Sequence, residues 1–160
     1  SAQWSNVENQ YQRRLDLIPN LVNTVKGYAS HEENTLTEVV NARAKATQMQ
    51  LNIDQLDEAT LKKLSNVQGE LSSALSRLMA ISENYPDLKA NQNFLDLQAQ
   101  LEGTENRIAV ERRKFNDVAR SYNAFILQFP RNLVAGMFGF TSKPYFEANA
   151  GAENAPKVEF

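Results

Sequence analysis

A proline stands inside an apolar rhythm of helical spacing close to the start of this chain, in the stretch RRLDLIPNLVNTVKGYA, residues 13–29. Trp4, Val7, Tyr11, Leu15, Ile18, Val22, Val25 and Ala29 recur at steps of three and four, which places them on one face of an α-helix. Pro19 interrupts that run without changing its phase. It has no backbone N–H and its ring crowds the carbonyl of Leu15. A fresh helix starting at Pro19 needs Ile18 as its N-cap, and isoleucine is among the poorest caps. The spacing therefore predicts one helix continuing through Pro19 and bending there, with the Leu15 carbonyl robbed of its intrahelical donor. After Ala29 the stripe resumes at Leu36 and Val40, past the polar residues His31, Glu32 and Glu33, so this first segment is expected to extend from about Gln3 to Gln48.

Two more segments follow. Asn52 and Asp54 suit a turn, with Asp54 a candidate N-cap. Thr60, Leu64, Val67, Leu71, Ala74, Leu78, Ile81 and Tyr85 then alternate by fours and threes, and the Tyr85-Pro86 pair ends the run. Asp87 and Asn91 are the caps available for the third segment, which carries a heptad seam of Phe94, Leu97, Leu101, Thr104, Ile108, Glu111, Phe115, Val118, Tyr122, Phe125 and Phe129 up to Pro130. At 1.5 Å per residue these helices are about 45–70 Å long. Short turns between long amphipathic helices make antiparallel neighbours. The expected fold is all-α: a long antiparallel up-and-down bundle of three long helices plus a short fourth at RNLVAGMFGF, residues 131–140. The bundle domain is placed at 1–141. Residues 142–160 lack periodicity and read as an extended or disordered tail.

Composition removes several kinds of chemistry. Seventeen basic and nineteen acidic residues leave a net charge of −2 without a block of one sign, so nothing marks a nucleic-acid surface. The chain has no cysteine and one histidine, His31. A carboxylate-bridged di-metal centre in a bundle needs a Glu-x-x-His on each of two helices, and position 28 is Tyr28. A zinc site lacks ligands in the same way. Ser72, Ser73, Ser76 and Ser82 lie on a regular helix without a nucleophile-activating context, and GMFGF lacks the lysine of a phosphate loop. No catalytic residue and no cofactor is expected. No run reaches the roughly 20 apolar residues that span a bilayer. The chain opens at Ser1 instead of Met, which points to a trimmed product.

Two polar seam positions, Thr104 and Glu111, face the expected core. A buried glutamate needs a partner such as Arg43 or Arg77. The alternative, a seam that drifts and leaves Glu111 at the boundary, is favoured because 3.6 residues per turn does not hold a strict seven-residue repeat. Arg13 and Arg14 are an exposed pair in this reading, solvated beside Asp16 or meeting an anionic lipid surface. Phe138, Phe140, Tyr145 and Phe146 cap the bundle end or form an exposed apolar patch. These six residues are the candidate interaction surface.

The runs AQWSNVENQYQRRLDLIPNLVNTVKGYASHEENTL, ELSSALSRLMAISENYPDLKANQNFLDLQAQLEGTENRIAVERRKFNDVARSYN and FPRNLVAGMFGF, followed by PYFEA and APKVEF, resemble the blocks of the LemA family in the same order. The resemblance covers essentially the whole chain and is weakest over 46–69. It implies a bacterial bundle held to the cell membrane by a single-pass N-terminal anchor preceding residue 1, on a side of the membrane that the residues do not specify. It implies no established catalysis, and partners among other envelope proteins. The expected function is a non-catalytic, membrane-tethered scaffold or interaction module of the bacterial envelope. A peripheral lipid-binding bundle and an enzyme of unrecognised type are the alternatives.

Overall fold

A computed structural model of the chain describes residues 2–53 and 56–127, and the side chains of these up to residue 124. Among the described residues five helices follow in order: α1 (Ala2–Lys26), α2 (Glu33–Leu51), α3 (Glu58–Ser82), α4 (Pro86–Lys89) and α5 (Gln92–Leu127). The all-α bundle read from the sequence is the observed architecture. Its helix count differs. The expected first segment folds back on itself, giving α1 and α2 as an antiparallel pair. The turn forms where the apolar stripe lapses, with the Tyr28 and Ala29 amides both donating to the Val25 carbonyl at 3.0 and 2.8 Å. Folding back buries Leu36, Val39, Ala42 and Ala46, which a single rod of that length could not cover with one partner. The periodicity restarts at the turn, so Val39 is buried and Val40 is exposed.

α1 packs against α5 and α2, α2 packs against α3, and the single turn of α4 bridges α3 to α5. Cross-helix bonds fix the registers. Gln3 Nε2 donates to Glu111 Oε2 at 2.8 Å, and Asn93 Nδ2 donates to Thr24 Oγ1 at 2.9 Å, so α1 and α5 run antiparallel. Among the described residues the topology is up-down-up-down. Asp57 caps α3 by accepting from the Thr60 amide at 2.7 Å; Asp54, the expected cap, lies outside the described residues. Asn91 caps α5 by accepting from the Phe94 amide at 3.0 Å. The seam of α5 holds from Phe94 to Ile108, then drifts: Glu111 is half-buried, Val118 is exposed, and Ala119 and Asn123 turn inward. That is the drift expected of an α-helix laid over a seven-residue repeat. The expected short helix at 131–140 and the boundary at 141 lie outside the described residues.

α1 continues through Pro19 without a break. The Leu15 carbonyl, which would have received the amide of residue 19, instead accepts from Arg43 Nε of α2 at 2.9 Å. An orphaned acceptor inside a helix costs about 1–3 kcal/mol, and the guanidinium offsets that cost while tying α1 to α2. Arg43→Ala should destabilise the bundle by about 1–2 kcal/mol in urea unfolding. In a Pro19→Ala background the restored backbone N–H at position 19 can satisfy the Leu15 carbonyl, so the same change should cost about 1 kcal/mol less. A double-mutant cycle with no coupling between positions 19 and 43 would show that Arg43 contributes packing alone.

Candidate functional site

The bundle interior holds two apolar cores. One gathers Trp4, Val7, Tyr11, Leu61, Leu64, Ile108 and Phe115, with the Trp4 and Phe115 rings edge to face at 5.8 Å. The other begins at Leu15 on α1, Leu71 on α3 and Leu101 on α5, and continues toward the α1–α2 turn. Between them lies a layer that is not apolar. Arg14, Gln68 and Glu105 occupy inward positions of α1, α3 and α5 and are 1, 2 and 3% exposed.

Arg14 holds this layer together. Its Nη1 donates to Glu105 Oε1 and, at 2.6 Å, to Ser72 Oγ. Its Nη2 donates to the Gln68 carbonyl at 3.1 Å and to Gln68 Oε1 at 2.5 Å. The guanidinium carbon stands 5.8 Å from the centroid of the Tyr11 ring, within cation–π range. Thr104, buried beside Glu105, donates back to the Gln100 carbonyl at 2.8 Å. Three buried polar atoms in this layer have no hydrogen-bond partner among the described residues: Arg14 Nε, Gln68 Nε2 and Tyr11 Oη. Burial pushes the Tyr11 phenol above its ordinary pKa of 10.0, while Arg112 and Arg14 pull the other way. The layer is a clamp, one cation bridging three helices and neutralising the one buried carboxylate it meets.

The fold corrects the placement of Arg14, which the sequence put on the surface beside Arg13. Arg13 is exposed, whereas Arg14 is buried. Position 14 is three past Tyr11 and one before Leu15, so the helical period itself turns it inward. Glu105 went unread because the heptad seam selects Thr104, its neighbour, and the core takes both. Glu111, weighed as the buried carboxylate, is half-buried and accepts from Gln3. Phe138, Phe140, Tyr145 and Phe146 lie outside the described residues.

The second feature is an open trough of about 910 Å³ along the outer face of α2 and α3. Small residues are among those lining it, Ala42, Gly69 and Ser73, together with Asn41 and Asn66. Glu38 pairs with Arg77 at one level, and Lys45 Nζ lies 3.5 Å from Glu70 Oε2 at the other. At the turn end of the bundle, Tyr85 Oη lies 2.6 Å from His31 Nε2 and donates to Glu32 Oε1 at 3.0 Å. His31 is largely exposed. Among the described residues no group of three or more His, Cys, Asp and Glu is placed to hold a metal ion, and no helix is long and apolar enough to cross a membrane.

The family model of LemA matches residues 3–160. The chain belongs to the LemA family. Among curated proteins it is 32% identical over 164 aligned positions to magnetosome protein MamQ 2 of Paramagnetospirillum magneticum, covering 91% of this chain and 60% of that protein. It is 30% identical over 162 positions to magnetosome protein MamQ of Magnetospirillum gryphiswaldense, with the same coverages. Protein LemA of Metamycoplasma hominis is 26% identical over 139 positions, covering 86% of this chain and 59% of that protein. This LemA-family chain thus spans about 60% of the length of the curated relatives it matches.

Glu105→Leu strands a buried cation and should cost about 3–5 kcal/mol in urea unfolding. Adding Arg14→Met should recover most of that loss, since paired buried charges exchange well for apolar volume. A double variant as unstable as the single one would refute the clamp. Tyr11→Phe discards an unpartnered hydroxyl and should stay within about 0.5 kcal/mol of the parent at pH 7. Because the folded pKa lies above 10.0, the neutral phenol stabilises the fold below pH 10 and that contribution disappears as pH rises through the folded value. Tyr11→Phe should therefore flatten the alkaline limb of the stability profile, and an unchanged limb would place the titration elsewhere.

Proposed function

We propose that this protein is a non-catalytic interaction module of the bacterial cell envelope, tethered to a membrane through sequence preceding α1. The observation that carries the reading is how the bundle uses its polar groups. The buried cation is committed to Glu105, Gln68 and Ser72, and the trough charges face each other in opposite pairs. An enzyme concentrates convergent, unspent polar groups in a concave site. Paired charges on a long helical face suit recognition of another protein. Membership in the LemA family supports the reading, as do relatives named as magnetosome proteins, a name that points to a membrane-associated setting. The lipid-surface alternative loses half of its basic pair, because Arg14 is inside the bundle.

Placing a photo-crosslinking residue at Asn41 or Ser73, in the natural full-length protein in cells, should trap a small, reproducible set of membrane-fraction proteins besides any second copy of the chain. The same residue at Asn106, exposed on α5, serves as the comparison. A full-length protein that fractionates away from membranes, or traps no reproducible partner from any face, would overturn the proposal.

A further inference from the structure

The charges on the α2–α3 trough are arranged so that the face matches itself. Glu38 and Lys45 are seven residues apart on α2, and Arg77 and Glu70 are seven apart on α3, which is about 10.5 Å along each helix. The signs swap between the two levels: Glu38 faces Arg77 at one, and Lys45 faces Glu70 at the other. All four side chains are 40–66% exposed and so remain open to a second contact. We propose that this face pairs two copies of the chain side by side, about a two-fold axis parallel to the bundle.

Under that symmetry α2 of each copy meets α3 of the other. Glu38 then opposes Arg77 of the partner subunit, and Lys45 opposes Glu70 of the partner subunit. Each level closes into a ring of four alternating charges, a network that outweighs isolated surface pairs. The contact is isologous and closed, so it stops at a dimer. Between the rings the small residues Ala42, Gly69 and Ser73 let the helices approach. The parallel orientation rests on the tethered reading above, since copies anchored in one membrane point the same way. The charge pattern itself is a property of the chain alone.

Sedimentation velocity of the 160-residue chain tests this. A reversible dimer is expected at low salt, with Kd rising roughly tenfold or more at high salt as exposed charges are screened. Glu38→Arg and Arg77→Glu each make one ring like-charged and should each be monomeric, with thermal unfolding by circular dichroism showing that both fold. Mixing the two variants puts opposite charges across both inter-copy contacts of that level, although each copy keeps a like-charged pair of its own, and should return a heterodimer where neither variant pairs alone. The chain has no cysteine of its own. Asn41→Cys mixed with Ser73→Cys should therefore give a disulfide-linked heterodimer. Asn41→Cys linking only to itself would mean an antiparallel pairing and overturn the arrangement. A parent chain that stays monomeric at low salt, or variants that stay monomeric when mixed, would overturn the dimer. Those failures leave the interaction-module reading standing, because it concerns other proteins trapped in cells.

Discussion

The guanidinium of Arg14 is the constraint around which the bundle is organised. It lies between two apolar cores and reaches α3 and α5 from α1. Apolar contacts are nearly indifferent to a slide of one helix past another by a turn, because the stripe repeats. A buried cation is not indifferent, since a slip of about 5.4 Å separates it from Glu105 and leaves both charges without partners in a low-dielectric interior. The clamp therefore contributes less to net stability than to choosing one register. The three unpartnered polar atoms around it are the cost of that choice.

Pro19 and Arg43 repeat the logic on the other side of α1. A helix that loses one internal hydrogen bond exposes an acceptor, and the adjacent helix supplies the donor. The defect thus becomes a link between α1 and α2. With Arg14 tying α1 to α3 and α5, α1 holds hydrogen-bonded links to each of the other long helices. α2 and α3 are left with their outer face on solvent. That is where the alternating charges and the short-residue trough lie.

The helical class and most of the core were readable along the chain. Leu64, Leu71, Ala74 and Leu78 are buried as their spacing required, and so are Phe94, Leu97 and Leu101. The Leu15 carbonyl loses its helical donor as Pro19 dictates. The misreadings have physical causes. Leu36 and Val40 extended the first stripe on paper because a four-residue spacing is helical whichever face it marks, whereas the fold-back resets the phase and buries Val39 in place of Val40. Val118 fitted a heptad that the 3.6-residue turn of α5 abandons in favour of Ala119. Arg14 was assigned to solvent because Asp16 stands close by as a local partner for the basic pair, and its true partner, Glu105, was invisible along the chain.

That last case marks the division between what the chain encodes locally and what folding decides. Periodicity, proline placement and the polar lapse after Ala29 are local, and they determined helices, their buried faces and the LemA kinship. Partner identity is not local. Arg14 and Glu105 are 91 residues apart in sequence, and Leu15 and Arg43 are 28 apart. Only the packing of antiparallel helices brings such groups within hydrogen-bond reach. The tertiary structure alone therefore decided that a basic pair near the N-terminus splits into one surface charge and one buried clamp, because a cation can be buried only where three helices converge to satisfy it.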